Sequence, residues 1–159
     1  MPIEPAQKIP SVKIKQATPS GPRDIDTAEL FAAKKAIMFS LPGAFTPTCS
    51  SKHLPGYLAK YDELRAKGVD LIACLSVNDH HVMNAWAIAQ GVGDKIAMLA
   101  DGDALFTRAL GIQVDIPGMG TRARRGVFVI ENGVVDSVEL EQPGKFEVSA
   151  AESCLLKLG

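Results

Sequence analysis

Residues 35–49 read Lys-Ala-Ile-Met-Phe-Ser-Leu-Pro-Gly-Ala-Phe-Thr-Pro-Thr-Cys. The apolar run that ends at Leu41 is typical of a buried strand, and Pro42-Gly43 ends it. Thr46 is a favourable N-cap, and proline is favoured at the first helical position, where Pro47 stands. The pattern therefore predicts a buried strand that turns directly into a helix, with Cys49 in the first helical turn.

Strands and helices alternate on both sides of this unit. Apolar residues at helical spacing predict a helix over residues 47–67, which we expect Pro55 to kink. The downstream pattern predicts strands at 69–77, 95–99, 123–130 and 134–140, and helices at 79–90, 103–110 and 149–157. Upstream, alternation over residues 12–16 and a Pro/Gly-rich turn at 18–22 indicate an N-terminal β extension, and Asp26 is placed to cap a short helix.

This order of elements predicts an α/β protein with a central mixed β-sheet. The sheet is expected to be parallel at its centre, antiparallel at the edge formed by the hairpin around Asn132-Gly133, and covered by helices on both faces. That outline is thioredoxin-like. With no repeat or linker in the sequence, we expect residues 1–159 to form one domain.

Composition excludes several classes of protein. The chain has 159 residues, 17 Lys and Arg against 18 Asp and Glu, and three cysteines. Such a balanced charge does not favour binding to nucleic acid or to an anionic membrane. No apolar run approaches the length of a spanning helix, and the first residues do not resemble a secretory leader, so we expect a cytoplasmic protein. Three cysteines are too few for a disulfide scaffold and are expected to be thiols.

Cys49 is the residue most suited to chemistry. The amino terminus of a helix carries a partial positive charge, which favours the nucleophilic thiolate over the thiol. Its polar surroundings disfavour the alternative of a small buried hydrophobic side chain. Thr46 stands where a C-x-x-C motif would have its other cysteine, so dithiol exchange is disfavoured, and its hydroxyl could bond either the sulfur or a substrate oxygen.

The stretch Pro42-x-x-x-Thr46-x-x-Cys49 resembles the active-site signature of the peroxiredoxins. Its wider setting, residues 42–56, is similar to the type II, or peroxiredoxin-V-like, branch. The likeness extends to segments 74–79, 100–102, 124–125 and 146–152, and so covers almost the whole chain from about Val12.

The resemblance implies reduction of hydrogen peroxide and organic hydroperoxides by a thiol, without metal or bound cofactor. Cys49 corresponds to the cysteine that becomes sulfenic acid. Thr46 corresponds to a threonine that bonds thiolate and substrate, and Pro42 to a proline that shields the pocket. Arg125 occupies the place of the family's arginine, whose permanent charge and fixed donors suit an anionic transition state.

Other polar residues near the motif receive structural interpretations. Arg122 and Arg124 are expected to be surface charges, as is Lys52. His53 lies one helical turn after Cys49, where a hydrogen bond at the helix bend is favoured over catalysis. His80 and His81 belong to a different helix, so no metal-ligand set is predicted.

The fate of the oxidised sulfur is left open by the sequence. Cys74 lies in an apolar strand, where a buried thiol is expected, yet plant type II members carry a resolving cysteine at this position. The other resolving position, around residues 145–150, has no cysteine here. Cys154 is expected to pack. The resemblance implies glutaredoxin with glutathione as the preferred reductant, thioredoxin as the second, and a homodimer. The apolar candidates for the dimer contact are Phe45, Trp86 and the loop 116–120.

Two alternatives to a peroxidase remain at this point. One is a peroxide sensor or redox relay that passes oxidation to a partner through the same sulfenic acid. The other is a binding or chaperone module with an inert cysteine.

Overall fold

The computed structural model describes residues 1–158. Its strands are β1 (Lys13–Thr18), β2 (Gly21–Asp26), β3 (Lys35–Ser40), β4 (Leu71–Ser76), β5 (Ala97–Ala100), β6 (Gln113–Ile116), β7 (Gly120–Ala123), β8 (Gly126–Glu131) and β9 (Val134–Leu140). Its α-helices are α1 (Thr27–Phe31), α2 (Leu54–Ala59), α3 (Tyr61–Ala66), α4 (His80–Gln90), α5 (Leu105–Ala109) and α6 (Ala151–Leu158). A π-helical turn, Cys49–His53, leads into α2.

Seven strands form one mixed sheet in the order β2-β1-β5-β4-β3-β8-β9. The central strands β3, β4 and β5 are parallel, whereas β8 and β9 are antiparallel to their neighbours. The predicted thioredoxin-like arrangement is confirmed. The N-terminal hairpin is more than an extension, because β1 pairs with β5 and makes a second antiparallel edge.

Alternation along the central strands divides the core between the two faces of the sheet. Ile37 and Phe39 pack against α2, α3, α4 and α6, whereas Ala36 and Met38 belong to a second cluster that includes Phe31 of α1. Successive strand residues point to opposite faces, so a strand covered by helices on both sides is apolar throughout. The short sequence Ala-Ile-Met-Phe thus contributes side chains to the core on both faces of the sheet.

The helix predicted over residues 47–67 is confirmed in place and differs in form. Pro47 and Thr48 are already helical, and the N–H of Leu54 then reaches back to the carbonyl of Cys49. This wider turn comes immediately before Pro55, whose nitrogen has no hydrogen to donate. A second break at Lys60 separates α2 from α3.

One small element is absent from the predictions. β6 and β7 form a separate two-stranded sheet, joined by a turn in which the N–H of Met119 donates to the carbonyl of Ile116. The predicted loop 116–120 is therefore the tip of a hairpin. Among residues 1–158, no helix combines the length and apolar character needed to span a bilayer.

Candidate active site

The site lies where β3 ends and the helical segment begins. Cys49 is the third helical residue after Thr46, as expected, and its side chain is fully buried. The carbonyl of Thr46 accepts the N–H of Ser50 at 2.9 Å, which opens the helix. The prediction that the Thr46 side chain caps the helix is wrong, because its hydroxyl donates instead to the carbonyl of Gly43 at 2.7 Å.

Two side chains hold the loop that joins β3 to the helix. The amide oxygen of Asn78 accepts the N–H of Ala44 at 2.9 Å. Arg122 donates from Nη1 to the carbonyls of Val77 and Pro42, at 3.1 and 3.4 Å. The interpretation of Arg122 as a surface charge is therefore wrong. Its side chain is half-buried and donates hydrogen bonds to the loop that contains Pro42.

Arg124 is also more than a surface charge. It is half-buried, and its Nη2 donates to the carbonyl of Glu141 at 3.3 Å. Arg124 and Arg125 lie between β7 and β8, outside both strands, and both line the same cavity. Lys52 is exposed, in agreement with its interpretation as a solvated charge.

Arg125 is the charged group that reaches Cys49. It enters from the connection between β7 and β8, and its Nη2 donates to Cys49 Sγ at 3.1 Å. Its Nη1 donates to Nδ1 of His53 at 2.8 Å. The guanidinium also lies over the ring of Phe146, with Cζ 5.8 Å from the ring centroid. The structure therefore brings together the cysteine and the arginine chosen from the sequence.

His53 contacts the arginine of the site and is more than the predicted hydrogen-bonding group at the helix bend. Because arginine has donors only, Nδ1 must accept, and the ring hydrogen therefore sits on Nε2. Nε2 donates to the carbonyl of Ser149 at 3.2 Å. Burial, aided by the charge of Arg125, lowers the pKa of His53 to about 3. His53 is neutral and fixes the direction of the arginine.

The segment 141–149 closes the site from the other side. Glu141 is buried, and its Oε2 accepts the N–H of Glu147 and both the N–H and the hydroxyl of Ser149, at 2.7, 2.8 and 2.6 Å. Burial alone would raise the pKa of Glu141, but the hydrogen bonds from Ser149 and Glu147 outweigh it and lower that pKa. Glu141, Ser149 and Phe146 are not among the predicted site residues.

The other two cysteines are buried free thiols. Cys74 lies in β4 beside Phe39 of β3, and burial raises its pKa well above the ordinary value, with a smaller contribution from nearby Cys49. Burial likewise raises the pKa of Cys154 to about 11. Cys154 packs in the same core cluster as Tyr57, as expected for a packing residue.

An apolar cavity of about 380 Å³ adjoins the site. Pro42, Thr48 and Arg125 line it together with the apolar side chains of Val114, Ile116 and Phe146. A larger open groove of about 810 Å³ is lined by none of the residues that surround Cys49, so the smaller cavity is the one relevant to chemistry. No cluster of three or more potential metal ligands occurs within residues 1–158.

Trp86 joins the active-site helix to α4. It is fully buried, and its Nε1 donates to the hydroxyl of Ser50 at 3.0 Å. Trp86 is therefore a core residue, and its inclusion among the apolar candidates for a dimer contact is wrong. Phe45 lies 6.5 Å from it between ring centroids and is 55% exposed, with a positive φ of 65°.

Comparison with known proteins agrees with this geometry. A model of the Redoxin family matches residues 4–155. The chain is 49% identical over 141 residues to chloroplastic peroxiredoxin-2E-2 of Oryza sativa subsp. japonica, an alignment that covers 86% of this chain and 63% of that relative. It is 43% identical over 162 residues to chloroplastic peroxiredoxin-2E of Arabidopsis thaliana, with 98% and 69% covered.

A solved structure gives the same result. Reduced Prx3 of Vibrio vulnificus in complex with H2O2 superposes with a TM-score of 0.94 at 49% identity, with 99% of each chain covered. The chain spans just under two thirds of the rice relative's length and almost all of the Vibrio protein. The chain belongs to the peroxiredoxins, the thiol-dependent peroxidases of the Redoxin family, and to their type II branch.

Proposed function

We propose that the chain reduces hydrogen peroxide and organic hydroperoxides with Cys49 as the nucleophile. The observation that carries this proposal is the 3.1 Å contact between Arg125 Nη2 and Cys49 Sγ. A fixed guanidinium stabilises both the attacking thiolate and the negative oxygen that develops as the O–O bond breaks. The Vibrio vulnificus relative, whose solved structure contains H2O2, supports the same substrate here.

The step is a two-electron transfer. The Cys49 thiolate attacks one peroxide oxygen, an S–O bond forms as the O–O bond breaks, and the departing oxygen leaves as water or an alcohol after taking a proton. The cysteine is oxidised to sulfenic acid. Thr46 holds the turn through Gly43 and offers its hydroxyl oxygen to the peroxide O–H. Pro42 lines the cavity and shields it from water.

The cavity beside the site supports organic hydroperoxides as substrates. Its walls at Val114, Ile116 and Phe146 are apolar, and its volume of about 380 Å³ accommodates an alkyl group. An apolar substituent that leaves water for such a surface gains roughly 25 cal/mol per Å² buried.

An external thiol is proposed to reduce the sulfenic acid. Cys74 and Cys154 are buried, and their raised pKa values keep both sulfurs protonated and poorly nucleophilic. The external thiol attacks the sulfenic sulfur and releases water, and a second thiol then displaces Cys49 from the mixed disulfide. Glutathione with glutaredoxin is the preferred donor and thioredoxin the second.

Peroxide consumption by two variants tests the reaction. Cys49→Ser is expected to lose all turnover, whereas Cys154→Ser, which alters a buried cysteine of the terminal helix, is expected to retain it. Activity that survives in Cys49→Ser defeats the proposal. Mixed disulfides with a partner protein, together with little turnover under any reductant, would instead favour the relay function.

The reductant is tested separately. Steady-state turnover is measured with purified glutaredoxin plus glutathione and with purified thioredoxin plus its reductase. Turnover with glutaredoxin supports the preferred donor. Turnover with thioredoxin alone excludes it and leaves the peroxidase proposal intact.

The assembly and compartment complete the proposal. Phe45 exposes an aromatic ring next to the active-site helix, which supports a homodimer through the loops near that site. Gel filtration of reduced and oxidised protein tests it, with elution as a monomer in both states as the contrary result. Three free thiols support a reducing compartment, for which the cytoplasm is proposed.

A further inference from the structure

Four residues, Arg125, His53, Ser149 and Glu141, form a closed ring of hydrogen bonds. The backbone N–H of Glu141 donates to the carbonyl of Arg125 at 2.9 Å. The carboxylate of Glu141 holds Ser149, the carbonyl of Ser149 accepts from His53, and His53 accepts from the guanidinium of Arg125. The ring fixes both ends of the arginine, leaving Nη2 directed at Cys49.

The Glu141 carboxylate makes more hydrogen bonds to the segment 147–149 than any other group in this ring. Three donors from the segment 147–149 converge on its single atom Oε2, so that one buried group folds the whole segment back onto the site. Residues 142–145, which connect Glu141 to this segment, are exposed. The position of Ser149 therefore depends on Glu141.

Ser149 in turn determines the orientation of His53. Its carbonyl accepts both His53 Nε2, at 3.2 Å, and the Tyr57 hydroxyl, at 2.7 Å. The same segment places Phe146 edge-on to His53, with ring centroids 5.0 Å apart. If the carbonyl moved away, the buried Nε2–H would lose its acceptor, and a turned imidazole would no longer present Nδ1 to Arg125.

The charge of Glu141 is a further reason to assign it a role. Burying a carboxylate is costly, and an uncharged side chain of the same shape would avoid most of that cost. The carboxylate nevertheless accepts from N–H and O–H donors, which is the arrangement that keeps an anion ionised. Ionised, it accepts these donors through charge-assisted hydrogen bonds, which are stronger than those made by the neutral oxygen of an amide.

We propose that Glu141 is a positioning residue for peroxide reduction, acting through Ser149 and His53 to hold Arg125 against the sulfur of Cys49. The inference rests on the proposed function of Cys49 and Arg125 and assigns a further residue to it. Glu141 itself does not touch the reacting atoms; its effect is exerted on the direction of the guanidinium.

The test compares Glu141→Gln with Glu139→Gln. Glu139 lies two residues earlier, in β9, is partly exposed and pairs with Lys157, so its substitution removes the same charge from a nearby position outside the ring. Glu141→Gln is expected to lower the single-turnover rate constant with H2O2 about tenfold, the effect of one hydrogen bond to an ionised group. Glu139→Gln is expected to match the wild type.

A second readout separates positioning from general damage to the fold. The rate of Cys49 alkylation at one fixed pH reports the reactivity of the sulfur, and Glu141→Gln is expected to lower it because Arg125 stabilises the thiolate less. Nitrogen NMR of the His53 ring is expected to show partial loss of the Nε2–H form. Neither measurement requires turnover, so both would test the role of Glu141 in the ring even if the protein had no peroxidase activity.

A milder variant keeps the proposal testable if Glu141→Gln fails to fold. Ser149→Ala removes only the hydroxyl donor and keeps the N–H and carbonyl of residue 149, so a smaller change in the same direction is expected. Effects of Glu141→Gln and His53→Gln on the peroxide rate are expected to be less than additive, since both act through Arg125. Folded Glu141→Gln with unchanged rates of peroxide reduction and of alkylation, or Glu139→Gln with the same losses, overturns the proposal.

Discussion

Arg125 donates to Cys49 Sγ at 3.1 Å although the two residues belong to different parts of the chain, 76 positions apart. One nitrogen of the guanidinium is directed at the sulfur, and the other is held by His53 Nδ1 at 2.8 Å. A planar fork of donors can satisfy both partners at once. A lysine ammonium has the same charge and lacks this fixed geometry.

Arg125→Lys is therefore expected to lower the single-turnover rate constant with H2O2 by about 10²–10³, as loss of a fixed oxyanion donor does. Stopped-flow measurement of the first turnover isolates this step from reduction by the external thiol. Arg108→Lys is the control, because Arg108 is exposed on α5 and away from the site. A rate for Arg125→Lys within twofold of that control would show that charge alone suffices.

The hydroxyl of Thr46 gives a second prediction. Donating to Gly43 leaves the oxygen free to accept from the peroxide O–H. Thr46→Val keeps the shape and removes both interactions, so a loss of about tenfold in the H2O2 rate is expected, whereas Thr46→Ser should retain most of it. The same single-turnover assay measures both variants. Equal rates for Thr46→Val and Thr46→Ser would contradict a role for the hydroxyl.

The local part of the site was predictable and the distant part was not. Strand β3, the turn at Pro42 and the place of Cys49 follow from consecutive residues, because caps, prolines and apolar runs act within one or two turns. His53 and Ser149 meet across 96 positions, and no local pattern marks that pairing. The choice of Arg125 over its two neighbours came from the family resemblance.

The errors have the same physical origin. The prediction that Arg122 is a surface charge follows from the rarity of buried arginine. In the structure its half-buried guanidinium donates to two backbone carbonyls, which belong to the irregular loops that follow β3 and β4. The π-helical turn before Pro55 was expected as a kink. The sequence does not show which carbonyl accepts the N–H of Leu54, because that choice depends on packing around the helix.

The neutral state of His53 predicts how stability depends on pH. Its pKa is about 3 in the folded protein and 6.5 as an unperturbed side chain, so the unfolded chain binds the extra proton between these values. Stability contributed by the neutral ring is complete above pH 6.5 and is lost as the pH falls towards 3, at about 1.4 kcal/mol per pH unit.

Urea denaturation of the wild type and His53→Gln at pH 7 and pH 5 measures this effect. Between the two values the wild type is expected to lose about 2 kcal/mol more in the free energy of unfolding than the variant. Carboxylates titrate alike in both proteins and cancel in the comparison. Parallel losses would mean that His53 accepts a proton in the folded state.

The immediate product of oxidation is the last prediction. Cys74 is buried in β4, and burial raises the pKa of its thiol, which disfavours its attack on oxidised Cys49. One equivalent of H2O2 is therefore expected to raise the mass by one oxygen atom, as in a sulfenic acid. An internal disulfide would instead remove two hydrogen atoms. Cys74→Ser is expected to give the same mass change as the wild type.

Trp86 reports on the same event independently of mass. It is the chain's single tryptophan, and its Nε1 donates to Ser50, the residue after Cys49. A helix that stays wound keeps this bond, so the emission maximum should not shift when Cys49 is oxidised. Unwinding would break the bond and expose the indole to water. A red shift in the wild type that is absent from Cys74→Ser would show that Cys74 resolves the sulfenic acid.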